Sequence, residues 1–261
     1  MSRIEPSGKP RRGLRGAWWI AVVVGLFFVA VAILQLGEVQ RSRQEPRVGD
    51  GENPETYGYD LASLTVKRRW LAATMPKDSL EPLDTPPLMW PAEADSLNRA
   101  QRGKYLVPDD LVIGVVRGGV PRAYPVRVLD WHEVANDTLG GLPIAVTWHP
   151  LSGAAVVLDR RHRGQVVRLA VSGLIWNSHH LLHDHPPRTP GETRVEASRH
   201  ETLWLPLWAE AVAGPAAGDT LAVIPSALVR WDTWRAAFPG TTVPFPALDM
   251  REAYKRSPYG S

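Results

Sequence analysis

The sequence predicts a mainly β fold with a few short helices, built on an antiparallel sheet of barrel-like or sandwich-like form; an α+β arrangement is the alternative. Three observations lead there. Short β-branched runs recur between residues 111 and 171, separated by glycine turn signals. Twenty-four prolines in 261 residues disfavour long helices. A hydrophobic share of 44% against 22% charged is that of a globular chain with a buried core.

In chain order, residues 1–16 form a basic tail, with Arg3, Lys9, Arg11, Arg12 and Arg15 against Glu5. Residues 17–36 follow as a transmembrane anchor. The unbroken apolar run from Ala17 to Leu34 is long enough to span, and Trp18 and Trp19 sit at its entry. No Ala-x-Ala cleavage site follows it, which argues against a removed signal peptide. The tail predicts a cytoplasmic N-terminus and places the main domain outside, on a single-pass protein of the cell membrane. Without the tail, 25 basic residues face 26 acidic ones, so the sequence pI near 9.3 gives no reason to expect nucleic-acid binding.

Residues 37–74 are polar and mixed, and are expected to be a tether with a short helix from about Asp60 to Ala73. The main domain is expected over residues 75–261, from which a fragment should fold alone. Its first part is punctuated by Pro76, Pro82, Pro86, Pro87, Pro91 and Pro108, as in a segment that wraps a domain in extended form. Strands are expected at Leu111–Val116 and Ala123–Leu129 around the Gly118-Gly119 turn, then at Ile144–Trp148, Ala154–Leu158 and Val166–Val171. Helices are expected from Trp131 to Thr138 and from Ser226 to Phe238, where Trp231, Trp234 and Phe238 recur at helical spacing.

Residues 145–153 read Ala-Val-Thr-Trp-His-Pro-Leu-Ser-Gly. This run resembles the signature Thr-Tyr-Cys-Pro-Leu-Cys-Gly of the bacterial family known as domain of unknown function 3179. Further pieces resemble that family in order: Pro76-Lys77-Asp78, Val112 to Val115, Arg122 to Pro125, Trp131 to Asp137, Val171 to Ser178, Leu203-Trp204, Ile224-Pro225 and Trp231 to Trp234. The resemblance brings no established activity. His149 and Ser152 stand where the signature cysteines would be, and the chain has no cysteine. A dithiol cycle and structural disulfides are therefore excluded, and thiol reagents have no target here.

Imidazole can replace thiolate at a zinc or copper site, whereas a neutral hydroxyl is a poor ligand. His132 and His149 are accordingly the candidate metal ligands, with copper or zinc as the cofactor. Asp184 is expected as a third donor or general base, and Asn177 as an orienting group, both as catalytic candidates. His179, His183 and His185, in a run holding half of the eight histidines, are alternative donors. The rival reading is a non-catalytic binding or scaffolding domain whose polar side chains form a structural network. No Gly-x-Ser-x-Gly elbow, glycine-rich phosphate loop or haem-attachment motif is present. The N-terminal helix is the expected contact with the membrane.

Overall fold

Successive residues of the strand Leu142–His149 face two different cores. Ile144, Val146 and Trp148 pack with Ile113, Val115 and Tyr124, while Ala145 packs with Leu158, Leu169 and Trp204. A strand buried on both faces reads as a continuous apolar run rather than an alternating one. The computed structural model describes residues 22–29, 47–100, 105–186, 191–245, 247, 250 and 252–259.

The strand belongs to the middle of three β layers. That layer has the order Val223–Ile224, Ala154–Asp159, Leu142–His149, Val134–Leu139 and Leu83–Asp84. Its pairs are antiparallel except the last, where Leu83–Asp84 runs parallel to Val134–Leu139. On one side lies an antiparallel three-stranded sheet, Ser226–Arg230, Leu111–Arg117 and Val120–Pro125. On the other lies a five-stranded antiparallel sheet ordered Leu71–Ala73, Leu169–Trp176, His179–Asp184, Leu203–Leu205 and Glu210–Ala213. The fold is thus mainly β with short helices, layered like a sandwich, and among the described residues no sheet closes into a barrel.

The outer faces are covered too. Helices Pro91–Ala100 and Trp231–Ala237 cap the three-stranded sheet through Ala94, Trp231 and Trp234. The far face of the other outer sheet is covered by Tyr57, Tyr59 and Leu61. Residues 47–74 are therefore not a free tether: Tyr57 is fully buried, its hydroxyl donates to the Met75 carbonyl, and Leu71–Ala73 pairs with Leu174–Trp176. The body formed by contacts begins at Arg47 rather than near residue 75. Residues 37–46 lie outside the described part of the chain.

Three expected helices differ. Between Asp60 and Ala73 the chain makes short 3-10 turns at Leu61–Ser63 and Arg68–Trp70, then a strand. The helical turn near residue 131 comes earlier, at Val126–Leu129, and Val134–Leu139 is a strand because Glu133 takes a left-handed φ of 56° and breaks the helix. Ser226–Arg230 pairs with Leu111–Val115, so the C-terminal helix is confined to Trp231–Ala237. Of the expected anchor, only residues 22–29 are described; they are helical and exposed, and the rest lies outside the described residues. Among the described residues no helix is long and apolar enough to cross a membrane.

Two local features position the site strands. Asn177 and Ser178, with φ of 47° and 65°, close the hairpin between Leu169–Trp176 and His179–Asp184 as a tight left-handed turn. Gly173, at φ 82°, sits in the irregularity of the first strand; a Cβ there would meet the Met75 carbonyl oxygen at 2.2 Å. Only glycine lets residues 75–78 run this close to the sheet.

Candidate metal centre and the signature loop

Strand alternation places His183 and His185 on one side of the hairpin strand and its end, and the close pass at Gly173 brings Asp78 over them. Asp78 itself takes φ 56°, with its N–H donating to the Val171 carbonyl. His183 Nε2 donates to Asp78 Oδ1 at 2.8 Å, and His185 Nε2 lies 3.8 Å from the same oxygen. One ligand atom from each of Asp78, His183 and His185 falls within 4.8 Å of the others, the one such trio of His, Asp or Glu among the described residues.

Behind the trio, His183 is fixed. Its Nδ1 donates to the Asp184 carbonyl at 2.9 Å and lies 3.1 Å from Glu201 Oε2. Lys77 Nζ closes on the same Glu201 oxygen and also donates to Ser198 Oγ at 2.9 Å. A cavity of about 330 Å³ opens in front, bordered by Asp78, His185, Glu81 and Arg168. Burial disfavours the imidazolium of His183, but the hydrogen bonds to Asp78 and Glu201 outweigh it and its pKa is raised. Burial likewise opposes ionisation of Asp78, yet the His183 hydrogen bond and charge hold its carboxyl well below the usual range. His185 is depressed to about 4 by burial and by the charge of His183.

The signature loop builds a second cluster. His149 ends its strand, and Pro150 to Gly153 turn back into Ala154–Asp159. Its Nδ1 is hydrogen-bonded to Ser152 Oγ at 2.9 Å, so the two cysteine-equivalent positions meet each other. The His149 ring stacks on His180 with centroids 4.8 Å apart. His180 Nδ1 donates to Glu133 Oε2 at 2.8 Å, and the other Glu133 oxygen accepts from the Tyr259 hydroxyl. Burial, then the neighbouring His180, depress the His149 pKa to about 4. His179 Nδ1 is buried without a hydrogen-bond partner.

The residues singled out from sequence do not share one site. His132 spends both ring nitrogens on protein: Nδ1 donates to the Glu81 carbonyl at 2.6 Å and Nε2 accepts from Tyr254 at 2.7 Å. Asp184 accepts from Thr202 N–H at 2.8 Å and Trp204 Nε1 at 3.2 Å, and burial raises its pKa. Asn177 is an exposed turn residue. The expected convergence of His132, His149 and Asp184 is therefore absent. His183 and His185, the alternative donors, are brought together, and Asp78 joins them.

Glu133, His180 and Tyr259 were missed at the signature loop, and Asp78 and Glu201 at the trio. Signals existed for Glu133 in Trp-His-Glu and for Asp78 in Pro-Lys-Asp. The Trp131 to Asp137 segment stitches layers: Asn136 bonds both the N–H and the carbonyl of Leu169, and Asp137 binds Arg122 and Tyr124.

No curated protein and no solved structure matches the chain. A family model described as "Protein of unknown function (DUF3179)" matches residues 82–261, which hold the His132 segment, the His149 loop and the His183 strand. The match covers more than half of the chain, and the chain belongs to that family.

Proposed function

We propose that this is a membrane-anchored, extracytoplasmic domain that binds copper or zinc through Asp78, His183 and His185. The observation that carries the reading is the trio itself. Its Nε2 and carboxylate atoms are spaced 2.8 and 3.8 Å apart, near the separations of neighbouring ligands around one ion at about 2.0–2.2 Å. The support behind it fits as well. A ligating histidine commonly donates its other N–H to a carbonyl or carboxylate, as His183 does to Asp184 and towards Glu201. Three protein ligands facing a cleft would leave a coordination position for water or substrate, the arrangement of catalytic zinc sites. When bound, the ion would supply Lewis acidity at that position. The chain's own part is to hold the His183 imidazole, through Glu201 and Lys77, and to keep one side open.

A second reading, a structural network without metal, has one observation in its favour: His183 is paired at both nitrogens and its pKa is raised. On that reading the proton at Nε2 is the permanent occupant of the position between His183 and Asp78. Elemental analysis of the full chain purified without chelators separates the two. Near-stoichiometric copper or zinc, with a melting temperature that rises on metal addition, supports the metal. No bound metal and no shift would leave the structural network.

Anchoring rests on the apolar run Ala17 to Leu34 and the net +4 of the tail. A reporter active only outside the cytoplasm, fused after Ser261, should be active. A silent, stably expressed fusion would refute the topology.

A further inference from the structure

Lys67, Arg68, Arg69 and Trp70 are four consecutive exposed residues at the rim of the five-stranded outer sheet. Trp70 packs edge-on against Trp176, with centroids 5.4 Å apart, and Trp176 packs edge-on against Trp208 at 4.9 Å. Trp176 is buried, and its Nε1 is tied to the Lys67 carbonyl at 3.1 Å, so it forms a fixed floor. The outer two rings are not covered: Trp70 is 39% exposed, Trp208 50% and the adjoining Leu207 43%. Between them runs a groove of about 480 Å³ whose walls also include Val66 and Asn177.

The cations sit beside the rings. Lys67 Nζ and Arg69 Cζ lie 5.0 and 5.1 Å from the Trp70 ring, and neither has a carboxylate partner among the described residues. Among the described residues Arg68 pairs with Glu55 alone, and both side chains are more than half exposed, so that pair is weak and easily exchanged. Exposed tryptophan and leucine framed by lysine and arginine match the chemistry of a bilayer interface with anionic headgroups. Indole settles at the headgroup level and cations pair with phosphate. A groove meant for a cationic ligand would not carry three cations at its edge.

We propose that this face docks on an anionic phospholipid surface, with Trp70, Leu207 and Trp208 entering the interface and Lys67, Arg68 and Arg69 meeting the phosphates. The inference rests on the anchored reading for its access to lipid. Only ten residues, 37–46, separate the proposed anchor from the folded body, a reach of at most about 35 Å.

The test reconstitutes the full chain into vesicles of phosphatidylcholine alone or mixed with phosphatidylglycerol. Amide hydrogen exchange is then read at residues 66–70 and 207–209. Exchange in both segments should slow on the mixed vesicles, and the slowing should vanish at high salt. The triple variant Lys67→Gln, Arg68→Gln, Arg69→Gln should dock roughly 100-fold more weakly, the equivalent of about 1 kcal/mol per cation, and lose the protection. Trp208→Ser should lose part of it, while exchange in the strand Leu142–His149 reports that each variant stays folded. Equal exchange on both vesicle types in folded protein would overturn the proposal. So would slowing by a soluble oligosaccharide in place of lipid, which would assign the tryptophans to a sugar. Carbonate extraction reports the anchor separately: a chain that is extracted yet still binds anionic vesicles in a salt-sensitive way keeps this docking surface and refutes the anchor.

Discussion

His149 stacks on His180, not on His132: the two rings lie 4.8 Å apart with planes inclined by 30°. Position 149 is the first cysteine-equivalent place of the signature, and position 180 lies on the adjacent layer. The pair therefore joins the middle sheet to its five-stranded neighbour at the loop that marks the family.

Acid sensitivity should follow from that pair. The folded pKa of His149 is about 4, below the usual 6.5. Between those values the unfolded chain binds more protons, so the contribution is complete above about pH 6.5 and is lost as pH falls towards 4. The loss is roughly 1 to 3 kcal/mol. His149→Gln should make the acid limb of melting temperature against pH less steep over that window, the remainder coming from His185, whose pKa is depressed alike. An unchanged limb would mean that His149 protonates in the folded state as freely as in the unfolded one.

The amino-terminal boundary gives a second test. Removing residues 1–46 should leave a cooperatively unfolding body, whereas removing residues 1–74 strips Tyr57, Tyr59, Leu61 and a paired strand from the outer sheet. That loss is on the order of 5 kcal/mol or more, comparable with the whole stability of a domain. Thermal denaturation of the two fragments decides it. A cooperative transition of similar midpoint for both would restore the tether.

Asn136 is 2% exposed and satisfies both backbone groups of Leu169 across the layers. Asn136→Leu should cost about 2 to 4 kcal/mol in chemical denaturation, since it leaves two buried backbone groups unpaired. A cost under about 0.5 kcal/mol would show that the backbone finds other partners.

Asn177 occupies a left-handed turn with φ 47°. Asn177→Gly should be neutral or slightly stabilising, and should leave metal affinity unchanged. A drop in metal binding with an unchanged melting temperature would return Asn177 to the candidate site.

The β layers were legible because strand patterns and turn glycines are local: Gly118-Gly119 closes a hairpin as expected, and Ile144–Trp148 is a strand. The misread helices share another cause. Ser226 to Phe238 carries helical spacing only from Trp231 onward, and pairing with Leu111–Val115 claims the rest. Nothing in the mixed composition of residues 47–66 announces that Tyr57, Tyr59 and Leu61, with Leu64 and Val66 beside them, cover a sheet. At the site, sequence spacing pointed to His183 and His185, but Asp78 is 105 residues from His183 and arrives only through the pass at Gly173. His132 sits in a motif, yet its two nitrogens are taken by a carbonyl and a hydroxyl that no local pattern reveals.

If Asp78, His183 and His185 hold the metal, zinc and copper affinity must part company between two single variants of the full chain. His185 opens to solvent, so His185→Ala should fold. It should bind metal more weakly by more than the roughly 10- to 100-fold that loss of a supporting partner costs. His149→Ala should bind as the parent does. A His185→Ala chain that binds metal like the parent, or a parent chain that binds neither metal, would rule this trio out as a metal centre.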